Sequence, residues 1–66
     1  MVYIIEIVAT GFTPDITTAS YIYSNNKIKA FTIANQYKRC HADEITINVY
    51  SALNEYTIKR QLLKTY

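Results

Sequence analysis

Tryptophan is absent from this 66-residue chain, and glycine, proline, cysteine and histidine occur once each. Each scarcity excludes something. One cysteine, Cys40, forbids an intrachain disulfide, and one cysteine with one histidine cannot supply the four ligands of a structural zinc site. A lone Gly11 makes no glycine-rich phosphate loop. Low cysteine usage points to a reducing compartment, and the cytoplasm is the expected location. Residues 1–9 are apolar but short, lack a basic lead and contain Glu6, so neither a signal peptide nor a membrane span is expected. Acids number five, and a hydrolytic carboxylate pair would need a cleft for which a domain this small offers little room.

What the chain has is tyrosine. Seven of them, Tyr3, Tyr21, Tyr23, Tyr37, Tyr50, Tyr56 and Tyr66, run along its whole length. A single domain spanning residues 1–66 buries only about 60% of its unfolded surface, too little to hide them all. Tyrosine combines a rigid apolar ring with a polar tip and is enriched at binding surfaces. So small a domain also needs support that disulfide and metal do not provide here, and a homodimer is one answer.

Net charge is +2. Residues 1–55 hold five acids and four bases, whereas residues 56–66 hold Lys59, Arg60 and Lys64 and no acid. A solvated, charge-guarded edge is the favoured reading of that segment, with a phosphate-binding tail as the alternative.

Hydrophobic periodicity orders the elements. Tyr3 to Ala9 is β-branched and apolar on both faces, as in a central strand. Thr10 to Asp15 is a loop carrying Phe12 between the one glycine and the one proline, with Phe12 folded back on the core or offered to a partner. Ile16 to Tyr23 is a second strand, antiparallel to the first. Ser24-Asn25-Asn26 starts a helix that runs from Lys27 to Arg39 or Cys40, with Ala30, Ile33, Ala34, Tyr37 and His41 on one face, Phe31 flanking the core and Ile28 outside it. Glu44 to Tyr50 alternates cleanly and predicts a third strand, and Ser51 to Glu55 a turn. Tyr56 to Tyr66 reads as a strand with Tyr56, Ile58 and Leu62 on one face, though Asn54 as a cap and the spacing of Leu62, Leu63 and Tyr66 also suit a helix.

The expected fold is therefore α+β, a two-layer ββαβ(β) domain with one antiparallel or mixed sheet and a single helix on one face. The other sheet face is left uncovered, presenting Ile4, Val8 and Tyr50, with Tyr21 and Tyr23 if the odd residues of the second strand point outward. Glu6, amid isoleucines, is expected to face outward as a guard of the sheet, with a binding contact as the sharper alternative. Cys40-His41-Ala42-Asp43-Glu44 gathers catalytic residue types, yet neighbours at a helix end diverge. A semi-buried thiol beside a dipole-compensating histidine explains them better than a nucleophile and base. No enzyme activity, catalytic residue, metal or cofactor is expected.

The apolar first strand, the second strand, the helix NNKIKAFTIANQYKR, the link HADEITINVY and the tail YTIKRQLLKTY together resemble the small orphan proteins of bacterial phages and prophages. The likeness covers the whole chain and lies in size, Lys/Asn/Ile/Tyr usage and element order. That pool includes anti-CRISPR proteins and other phage inhibitors of host defence, many with a ββαββ-like layout. The resemblance implies a non-enzymatic inhibitor that docks on a host protein such as a CRISPR effector, and no residue is carried over from it. A net charge of +2 does not suit the acidic DNA mimics among them. The partner-binding residues expected from the chain itself are Tyr21, Tyr23, Tyr50 and Tyr56, with Lys59 and Arg60 at the rim. The alternative is a small nucleic-acid-binding protein that stacks bases on the same tyrosines and uses the basic C-terminal segment.

Overall fold

The computed structural model describes residues 1–10, 17–41, 44–54, 56 and 58–66. Of the loop expected from Thr10 to Asp15, Thr10 is instead the last residue of β1, and residues 11–15, Phe12 among them, lie outside the described residues, as does Asp43. Strands β1 (Val2–Thr10), β2 (Thr17–Ser24), β3 (Ile45–Ala52) and β4 (Gln61–Thr65) and helix α1 (Lys27–His41) follow one another in the order β1-β2-α1-β3-β4. The sheet order is β2-β1-β3-β4, antiparallel throughout. The fold is the expected α+β two-layer class, and β1 is central.

Side chains alternate across a strand, so each face collects every second residue. Ile5 on β1 and Ile45, Ile47 and Val49 on β3 point to the helix layer, where they bury against Ala30 and Ala34. Two alanines at i, i+4 present no side chain beyond Cβ and let the helix axis approach these β-branched residues. Tyr3, Ile7, Ala9, Ile22, Phe31, Ile33 and Tyr66 fill the margin of this core. Ile28 is exposed, as its place off the stripe requires.

The helix begins where short polar residues satisfy its free N–H groups. Asn26 Oδ1 accepts from the Lys29 backbone N–H at 3.0 Å, and the Asn26 backbone N–H donates to Ser24 Oγ at 3.1 Å. At the other end, Lys38 Nζ donates to the Ile45 carbonyl at 2.7 Å and ties the helix to the start of β3. The row of α1 turned to the sheet is thus Ala30, Ala34, Lys38. Tyr37 and His41, expected on the buried stripe, are exposed and stack on each other at 6.3 Å.

The last segment is shorter as a strand than the alternation of Tyr56, Ile58 and Leu62 suggests. Tyr56 lies in a turn, Ile58 is exposed, and pairing begins at Gln61. Asn54, a cap candidate in sequence, instead closes that turn, its Oδ1 accepting from the Tyr56 backbone N–H at 2.9 Å. Beyond Thr65 the pairing continues, because Tyr66 N–H donates to the Ile47 carbonyl at 2.7 Å. The turn expected over residues 51–55 starts later, since β3 extends through Ser51 and Ala52.

Candidate functional site: the sheet face away from the helix

Residues opposite one another in an antiparallel pair share a face, so the strand register assembles the second face row by row. One row reads Tyr23, Ile4, Tyr50, Leu62 across β2, β1, β3 and β4. The next reads Tyr21, Glu6, Asn48, Thr65, and the third Ala19, Val8, Thr46. The odd residues of β2 do point away from the helix. Three of the four tyrosines expected to bind, Tyr21, Tyr23 and Tyr50, stand together here. Tyr21 and Tyr23 remain 45% and 49% exposed.

Three expectations about this face, for Ile4, Tyr50 and Arg60, need correcting. Ile4 is not presented, being 1% exposed although it lies outside the cluster beneath the helix. It sits between the cross-strand rings of Tyr23 and Tyr50, which shield it. Tyr50 is half-buried for a related reason. Arg60 swings over the face, its guanidinium carbon 5.6 Å from the Tyr50 ring centre and 5.8 Å from that of Tyr21. A guanidinium above an aromatic face is attracted by the ring quadrupole, by about 0.5–1 kcal/mol at an exposed site. The residues after β3 therefore place Arg60 on the aromatic surface itself rather than at its rim.

Beneath these rings runs a polar chain. Asn48 Nδ2 donates to Glu6 Oε1 at 2.9 Å, and Tyr50 OH donates to the same oxygen at 3.2 Å. Thr65 Oγ1 donates to Asn48 Oδ1 at 2.8 Å. Glu6 faces away from the helix as expected, but it is hydrogen-bonded rather than a lone guarding charge. It is a central acceptor that orients the Asn48 amide and the Tyr50 phenol, linking β1 to β3, and the Thr65–Asn48 bond extends the chain to β4. Glu6 Oε2 accepts no hydrogen bond from a described residue, so the carboxylate keeps acceptor capacity on this face.

Burial and the neighbouring Glu6 carboxylate raise the Tyr50 phenol above its ordinary pKa, with Arg60 opposing. The folded state therefore holds this proton more tightly than the unfolded chain. The stabilisation is whole below the unfolded value of about 10 and is lost as pH rises through the higher folded value. Tyr50→Phe has no such proton. The stability difference between the native chain and Tyr50→Phe should narrow as pH rises above about 10 in denaturant titrations. A difference that stays constant would mean the phenol is not held by the fold.

The other residues expected at the site do not join it. Tyr56, 86% exposed, lies in the turn before β4 rather than on the sheet. Lys59 is exposed and borders a shallow depression with Met1, Leu53 and Gln61. Lys64 shares the helix side with Val49, its paired residue, and its ammonium lies 4.6 Å from the Tyr66 ring centre. The basic C-terminal segment is therefore split between the two faces. Cys40, expected semi-buried, is exposed, and the adjacent His41 ring stacks on Tyr37. Among the described residues no cluster of His, Cys, Asp or Glu could hold a metal ion, and no helix is long and apolar enough to cross a membrane. No family model, curated protein or solved structure matches this chain.

Proposed function

We propose that this chain is a non-enzymatic protein-binding module whose working surface is the sheet face away from the helix. The observation that carries the reading is the exposed pair Tyr21 and Tyr23, adjoining Tyr50 and Arg60. Tyrosine and arginine are the residue types that most often anchor protein interfaces, where they concentrate binding energy in a few side chains. Glu6 and Asn48 supply oriented polar groups beneath them. In its finer form, the module is a phage-derived inhibitor that occludes a host defence effector, a CRISPR effector among them, in the bacterial cytoplasm. That form rests on the chain's size, residue usage and element order. Binding of nucleic acid through the same tyrosines is supported less, because Lys64 faces away from Arg60 and a phosphate track needs its cations on one surface.

The test is affinity capture from host lysate, with and without nuclease treatment, by the immobilised chain and by its Tyr23→Ala variant. A protein retained by the native chain and released about tenfold more readily by Tyr23→Ala supports the proposal. Retention that disappears with nuclease, and falls steeply with salt, would replace it with the nucleic-acid reading.

A further inference from the structure

Each outer strand of an open sheet carries a row of backbone N–H and C=O groups that no neighbour pairs, and proteins commonly guard such edges. The two edges here are treated differently. β4 has five residues, carries Lys64, and is interrupted by a bulge that leaves Leu63 without a partner between the Val49–Lys64 and Tyr50–Leu62 pairs. Charge, shortness and a bulge are the usual means of keeping an edge from pairing further. β2 has none of them. It is eight residues long, TTASYIYS, with no charge and no proline, and its register with β1 is unbroken. Its described residues make no backbone hydrogen bond on the outer side.

We propose that the outer edge of β2 pairs with β2 of a second copy of this chain, antiparallel about a two-fold axis perpendicular to the sheet. Symmetry requires that residues of equal parity meet, so that both helices lie on the same side. Two registers pair seven residues of the strand, 17–23 centred on Ser20 and 18–24 centred on Tyr21. The first sets Tyr21 against Ala19 of the second copy, and the second sets Tyr23 against it, so a large ring meets a small residue in either. Charge favours this occupant too: self-pairing of β2 brings no like charges into the seam, whereas self-pairing of β4 would bring two copies of Lys64 to one edge. The result is a continuous eight-stranded sheet in which the two aromatic faces join. It supplies the support that a chain of this size lacks when alone.

A single-edge interface buries little area, so the dimer is weak and its dissociation constant lies on the order of micromolar or above. Sedimentation velocity from about 10 μM to 1 mM should then show the mass rising from one chain of 7.6 kDa toward two. Ser20 is exposed and lies on the helix side, away from the tyrosines. Ser20→Lys sets two lysines opposite or diagonal to each other in both registers, and should weaken dimerisation by about tenfold or more. Gln61→Lys on β4 should leave it unchanged. A native chain that stays monomeric throughout, or a dimer indifferent to Ser20→Lys with the variant's circular dichroism intact, overturns the inference. Because Ser20 stands apart from the aromatic face, Ser20→Lys should still capture the partner proposed above. The two proposals therefore fail separately.

Discussion

Ile47→Ala should leave the domain largely unfolded at room temperature. Ile47 is fully buried at the middle of β3, between β1 and β4 and under Ala30 and Ala34. Removing its three outer carbons forfeits transfer energy and leaves a cavity that a sheet pinned on both sides cannot close, at a cost of about 2–5 kcal/mol. A 66-residue chain has roughly 3–10 kcal/mol of stability in total by the usual per-residue range. A domain this small belongs at the low end of that range, so the loss takes most or all of it. Urea titration followed by far-ultraviolet circular dichroism should place the variant's midpoint near zero denaturant. Ile28→Ala, on the exposed flank of α1, is the control and should shift the midpoint little. An Ile47→Ala chain as stable as the parent would mean the helix does not rest on β3.

The position of Ile47 was legible before the structure, and so was most of the frame around it. Ile45, Ile47 and Val49 alternate with polar neighbours, Asn26 caps the helix, and Ala30 and Ala34 mark the face that approaches the sheet. Local pattern suffices there because period and capping act over a few residues. The aromatic face was legible only in outline. Ile4 is buried because Tyr23 and Tyr50 flank it, and those pairings depend on a register between segments far apart in the chain. Glu6 resembled a guard charge for the same reason: its donors, Asn48 and Tyr50, lie on β3, beyond the two intervening elements β2 and α1. Tyr56, expected in the last strand, lies instead in a turn, and Arg60 belongs to the connection before β4 rather than to the strand itself. No periodicity reports the direction of a side chain on a connecting segment.

Tyr50→Ala and Tyr23→Ala should separate the fold from its proposed task. By composition alone the two rings look equivalent, and both would be expected to yield to alanine without harm to the fold. Their surroundings say otherwise. Tyr50 shields Ile4, donates to Glu6 and supports the Arg60 guanidinium, all from a central strand. Its truncation exposes Ile4, removes one of the two donors to Glu6 Oε1 and takes away one of the rings beneath Arg60. For a half-buried ring we expect a stability loss of about 2–3 kcal/mol, less than the 3–5 of a fully buried aromatic. Tyr23 stands on the edge strand, 49% exposed, covers Ile4 from one side only and makes no side-chain hydrogen bond among the described residues, so its truncation should cost about 1 kcal/mol, well below the loss at Tyr50. Partner affinity should fall in both variants. Only in Tyr23→Ala should it fall with little movement of the urea midpoint, which makes that variant the better reporter of binding. If instead Tyr23→Ala unfolds the chain and Tyr50→Ala does not, Ile4 is not shielded as described, and the aromatic face would have to be rebuilt around the edge strand.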